Sequence, residues 1–211
     1  MGDMVTTDTS RPRRGRALDP TRDVAIREAV LAELAAVGYE GLTMDAVAAR
    51  ARAGKGALYR RWPSKAALVI DSISQLRPMA EVPDEGSLAA DLVRLATTVA
   101  PRDDDRIEVS VMLGLVTAAH RDPELATALR TQLIEPRQEP IRAILERARA
   151  RGEISSDADV DLIVEVIPAM VMGRAISRGL PPDRDFILQV LRAVVLPALF
   201  HGPMGPPPPS T

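Results

Sequence analysis

The sequence contains no cysteine and only two histidines, His120 and His201. Disulfides and thiolate metal sites are excluded, and a metal or haem site built on histidine has too few ligands to be expected. Aromatic residues are scarce: Tyr39, Tyr59, Trp62, Phe186 and Phe200 are all there are in 211 residues. Lysine is nearly missing as well, with Lys55 and Lys65 the sole examples. No apolar run reaches the roughly 18 residues of a membrane span. The Arg-rich N-terminus lacks the apolar stretch of a secretory signal. No Ser/His/Asp or Cys/His arrangement is visible from local signals, so an enzymatic reading has no residue to rest on. The expectation is a cytoplasmic, non-enzymatic protein with no cofactor, no metal and no membrane partner.

What is present is a hydrophobic content of 46%, enough for one sizeable core or two small ones. Charge is unevenly spread. Residues 1–65 carry a net charge of +4 and the remainder −6, which sums to the overall −2. A basic head on an acidic body is the footprint of a chain whose head meets phosphate.

The apolar periodicity is helical throughout, with no strand-like alternation. Residues 1–17, with Arg11, Arg13, Arg14 and Arg16, predict a disordered basic arm able to reach a minor groove. Asp19-Pro20 predicts a capped helix start. Ile26, Val30, Leu34 and Val37, with Ala29 and Ala36, form its apolar stripe, and Gly38 its stop. Thr43 predicts the cap of a short helix to Arg50, residues 51–54 a turn, and Lys55 to about Trp62 a second short helix. Pro63-Ser64 begins a fourth helix at Lys65. After a linker at 78–86, helical segments are expected at 87–100, 106–119, 123–152, 157–177 and 183–200, the third kinked by Pro136 and Pro140. The tail GPMGPPPPST, 202–211, predicts disorder.

A capped short helix, a turn and another short helix form a helix-turn-helix unit, here at about 43–62. Its second helix is expected in a major groove, with its N-terminal residues at the base edges. Gly56 and Ala57 permit close approach, and Ala57 can touch a thymine methyl. Lys55 can donate to guanine or to phosphate. Tyr59 and Arg60 face outward. Thr43 and Lys65 stand at helix starts that favour phosphate. Arg52 and Gly54, in the turn, complete the expected DNA-binding set of Thr43, Arg52, Gly54, Lys55, Gly56, Ala57, Tyr59, Arg60 and Lys65. Trp62 is expected to be structural, wedged between the first and fourth helices. Gly54-Lys55-Gly56 lacks the spacing of a phosphate loop, and Asp103–Asp105 that of a calcium loop.

From about Arg22 to Leu68 the chain closely resembles the tetracycline-repressor (TetR) family of bacterial regulators. The matching residues are Gly38-Tyr39, Gly41-Leu42-Thr43, Val47-Ala48, Lys55-Gly56, Leu58-Tyr59 and Trp62-Pro63-Ser64-Lys65 with Leu68. The resemblance implies an all-helical homodimer, a palindromic operator and a small-molecule pocket in the C-terminal body. It also implies that Thr43, Lys55, Tyr59 and Lys65 touch DNA. Two departures stand out. Gly54 replaces a Ser-like cap and offers no side-chain oxygen. Arg52-Ala53 replaces a Gly-Val pair, and Arg52 is less comfortable than glycine if the turn needs a positive φ.

The last two helices are apolar on more than one face, and the surplus suggests a partner. The expected dimer interface is Val160, Ile163, Val164, Ile167, Val171, Phe186, Ile187, Val190, Leu191 and Val194. The expected effector pocket is Leu76, Met79, Leu92, Leu95, Met112, Leu115, Val116, Leu133 and Met170. It has no aromatic residue and three methionines, which suits an aliphatic or irregular hydrophobic ligand. The sequence therefore predicts an all-α protein: a helix-turn-helix DNA-binding domain at 18–76, then a helical ligand-binding and dimerisation domain at 77–201. Its expected role is a repressor released from its operator by a small hydrophobic molecule. The competing reading is a helical protein-interaction module without sequence-specific DNA binding.

Overall fold

The computed structural model describes residues 20–76, 79–99, 106–179 and 183–201. The expected arm at 1–17, the capping Asp19, the Asp103–Asp105 run and the tail at 202–211 lie outside them. The described residues form helices joined by turns and loops, with no strand among them.

Helix α1 covers Pro20–Gly41, but Gly38 interrupts it at φ 67° and ψ −178°. That backbone suits glycine, and the helix proper ends there as expected. The bend swings Tyr39 and Leu42 into the core and leaves Ala36 and Val37 outside, which corrects the expected stripe. Helices α2 (Met44–Arg50), α3 (Lys55–Arg61) and α4 (Lys65–Ser74) follow. Ser64 caps α4 by accepting from the Ala67 amide at 3.1 Å.

The body comprises α5 (Leu88–Val99), α6 (Arg106–Ala119), α7 (Pro123–Ala128), α8 (Glu135–Ala150), α9 (Val160–Arg178), α10 (Arg184–Val190) and α11 (Leu196–His201). Asp122, Asp159 and Asp183 cap α7, α9 and α10 with their side chains. Gly179, at φ 62°, ends α9. The long segment 123–152 is continuous but not regular. A π-helical turn, Leu129–Ile134, joins α7 to α8 just ahead of Pro136. Proline cannot donate into a helical ladder, and a wider turn is one way to absorb the missing bond. A second π-helical turn, Leu191–Val195, joins α10 to α11.

Two cores organise the molecule. One gathers Ile26, Val30, Leu34, Val47, Leu58, Trp62, Leu68 and Ile70 from α1–α4. It also takes in Leu115 and Ala118 of α6, Leu125 and Ala128 of α7, and Leu129 and Leu133 beyond. The other joins α5, α8, α9, α10 and α11. Thus the expected division at residue 76 cuts the chain but not the core. Each fully buried leucine contributes about 1.5–3 kcal/mol by leaving water, so the α6–α7 corner is integral to the head.

A buried carboxylate fixes the linker to the second core. Asp91 is wholly shielded from solvent and accepts from the Glu85 amide at 2.5 Å and from Arg147 at 2.9 Å. Burial pushes its carboxyl upward, but the amide and the two arginines beside it hold it below the usual carboxylate range. Arg147 also donates to the Pro83 carbonyl, and Glu153 accepts from the Leu88 amide at 2.6 Å.

Candidate DNA interface

Helix α2 begins at Thr43, whose hydroxyl accepts from the Ala46 amide at 3.1 Å. Its apolar positions Met44, Val47 and Ala48 face inward. Ala49, next to the buried Ala48, is exposed. Arg52 is the one described non-glycine residue at positive φ, 50°, so the turn does need the conformation that its arginine disfavours. Gly54 caps α3 without a side-chain bond, and the Ala57 amide donates to its carbonyl at 2.8 Å.

Only Leu58 of α3 is fully buried. It anchors the helix and turns the opposite face outward. Lys55, Gly56, Tyr59 and Arg60 are exposed there, with Thr43, Arg52 and Gly54 exposed nearby in sequence and Ala57 half-buried. The expected set therefore occupies the start of α2, the turn and the outward side of α3, with Lys65 at the start of α4. The Lys65 ammonium donates to the Tyr39 carbonyl at 3.0 Å and lies 4.2 Å from the centre of the Tyr39 ring.

Other charges brace this surface from behind. Trp62 is buried, and its Nε1 donates to Asp71 at 3.0 Å. The same carboxylate accepts from Arg27 of α1 at 3.2 Å, which places Trp62 between α1 and α4 as expected. Arg61 pairs with Asp23, and Arg50 with Glu33 at 2.7 Å. Arg60 rather than Arg61 is thus the arginine presented outward.

Two relationships carried no local signal in the sequence. Lys55 pairs with Asp45, ten residues before it, at 2.7 Å. The contact holds the Lys55 ammonium above its ordinary value, through its hydrogen bond to Asp45 and then the charge itself. Tyr39 donates to Asp122 at 2.7 Å across 83 residues. His120 is a helix-end histidine within 2.9 Å of the Val116 carbonyl.

The nine expected pocket residues are not gathered into one site. Leu92 and Leu95 lie in the second core, Leu115 and Leu133 in the first, with Met112 and Val116 packed against it. Leu76, Met79 and Met170 are exposed. An open groove lined by Asp185, Leu188, Gln189, Arg192 and Ala193 contains none of the nine.

The residues expected at a dimer interface are mostly covered within the chain. Val160, Ile163, Val164, Ile187, Val190 and Leu191 are buried in the chain's own core, and Ile167, Val171 and Phe186 pack against it. Of the ten, only Val194 is exposed. The outward stripe of α9 is instead Leu162, Ala169, Met170, Gly173 and Ile176, accompanied on the π-helical turn and α11 by Ala193, Val194, Ala198 and Phe200. The small residues four apart, Ala169 and Gly173, were the available signal.

Among the described residues, no helix is long and apolar enough to cross a membrane. Residues 26–71 match the family described as bacterial regulatory proteins, tetR family. Residues 82–194 match the tetracyclin repressor-like C-terminal domain. The HTH-type transcriptional regulator Rv1556 of Mycobacterium tuberculosis is 36% identical over 92% of this chain and 96% of its own length. The DNA-binding transcriptional repressor TetR of Mycobacteroides abscessus is 34% identical over 86% of this chain and 96% of its own. In fold, the TetR family transcription regulator SCO0332 superposes with a TM-score of 0.60 at 26% identity, covering 82% of this chain and 96% of that one. With a braced helix-turn-helix head and a helical body matched over most of its length, the chain belongs to the TetR family of DNA-binding transcriptional regulators.

Proposed function

We propose that the chain is a homodimeric repressor whose paired heads hold a palindromic operator and are released from it by a small hydrophobic molecule bound in the body. One observation carries this reading: Leu115, Ala118, Leu125 and Ala128 of the α6–α7 corner are part of the head's own core. A ligand that shifts the α6–α7 corner moves packed atoms of α1, which meets α6, and of α4, which meets α7, because close-packed side chains transmit displacement rather than absorb it. The ligand's leverage equals its affinity difference between the DNA-competent and released states. A relative named as a transcriptional repressor supports the direction of regulation.

Dimerisation supplies the symmetry. The outward stripe of α9, with the exposed apolar residues of the α10–α11 segment, is the face offered to a second copy, and its small residues allow close approach. Thr43, Arg52, Lys55, Tyr59, Arg60 and Lys65 then contact each half-site. Selection of bound fragments from a genomic library tests the whole scheme. The expected result is a two-fold symmetric site with half-sites about one duplex turn or slightly more apart, and release of that duplex by a fraction of cellular metabolites. Binding without sequence preference, or with no salt dependence, would overturn it and favour a protein-interaction module.

A further inference from the structure

Lys55 and Asp45 stand on different helices, and the ammonium meets both carboxylate oxygens, at 2.7 and 2.9 Å. Both side chains are largely exposed, 58% and 67%. An exposed ion pair adds little to folding. A carboxylate on a surface that meets DNA also repels phosphate. Asp45 therefore costs general affinity for the duplex, and its place in the first turn of α2 returns only a modest helix-start stabilisation. Its chemistry matches a base edge better than a backbone.

A G·C pair displays guanine N7 and O6, two adjacent acceptors, beside the cytosine N4 donor in the major groove. The Lys55 ammonium has three donors; with two turned to the Asp45 oxygens, the third can be shared between the adjacent acceptors N7 and O6. The Asp45 carboxylate has lone pairs to spare for N4. In an A·T pair the adenine N6 donor replaces O6, facing the ammonium donor to donor, and the thymine O4 acceptor stands where the carboxylate needs a proton. Resting on the DNA-binding role of this surface, we infer that Asp45 and Lys55 act as one unit that reads a G·C base pair. On other sequences the pair stays closed, and Asp45 keeps Lys55 from gripping phosphate indiscriminately.

The test uses the full chain as wild type, Asp45→Ala, Asp45→Asn and Lys55→Ala. Each is put through selection from a random duplex library and then titrated against the wild-type-selected duplex and a scrambled duplex of the same length. Tryptophan fluorescence melting checks folding. The wild type should fix G·C at one position of each half-site. Asp45→Ala and Lys55→Ala should relax that same position by about tenfold or more. Asp45→Ala should also bind the scrambled duplex several-fold more tightly, whereas Lys55→Ala should bind it more weakly. Asp45→Asn, which keeps the shape, should relax the same position and serves if the alanine variant does not fold. An unchanged preference in both Asp45 variants, with or without a lower melting point, would reduce Asp45 to a helix-start charge and overturn the inference. A wild-type chain that selects no sequence at all would instead overturn the DNA-contact reading beneath it.

Discussion

The Tyr39 hydroxyl donates to the Asp122 carboxylate at 2.7 Å, joining the end of α1 to the first turn of α7. Burial, and then this bond, push the hydroxyl above its ordinary value. The other Asp122 oxygen caps α7 by accepting from Leu125 at 3.0 Å. That amide first, and Tyr39 second, hold the carboxyl below its usual range. Tyr39→Phe should cost about 1–2 kcal/mol of stability. A carboxylate lowered on folding stabilises fully above its unfolded value of about 4 and loses that contribution as pH falls through the folded value. Thermal melts across pH should therefore show the wild-type advantage over Tyr39→Phe at neutral pH and its loss in acid.

Arg52 occupies left-handed backbone at φ 50°. Arg52→Gly should raise stability by roughly 0.5–1 kcal/mol, the relief of a side chain held there. The melting point reads this effect. The salt dependence of DNA binding reads a separate one, because loss of a phosphate contact lowers the log–log slope by about one.

Asp71 serves as acceptor for both Trp62 and Arg27. Asp71→Ala leaves two buried or half-buried donors without it and should destabilise the head by about 2–4 kcal/mol. Trp62 is the single tryptophan, so its fluorescence reports the transition directly. A loss below about 0.5 kcal/mol would show that water replaces the carboxylate without cost.

A Cβ built on Gly173 meets nothing within 4 Å inside the chain. Gly173→Arg should therefore leave the monomer's fold intact while obstructing a second copy on the α9 stripe. Sedimentation should show a shift from dimer to monomer, with far-UV circular dichroism unchanged. A dimer of wild-type strength would place the interface elsewhere.

The parts of this structure written in local chemistry were legible beforehand. Thr43 and Ser64 each precede a short apolar run and cap it, Gly38 bends the chain, and the strain at Arg52 follows from its place in a turn. Apolar periodicity was less informative. It shows that Ile163 and Val190 are buried but not whether their own chain or a second copy covers them, and here their own chain does. The expected pocket residues divide in the same way, with Leu92 and Leu115 in different cores. Tyr39–Asp122 and Asp45–Lys55 depend on how helices meet, and no spacing rule announces either. The π-helical turns fall where proline or packing alters the ladder, and proline alone signalled only a kink.

The core that runs from α1 and α4 into α6 and α7 bears on how such regulators can be recombined. A chimera made by transplanting residues 18–76 onto a foreign scaffold would uncover the faces of α1 and α4 that pack on α6 and α7, and strand Leu115 and Leu125 on the donor side. A working exchange must carry the α6–α7 corner along, so the DNA-binding head and the body of this chain are inherited together rather than as interchangeable parts.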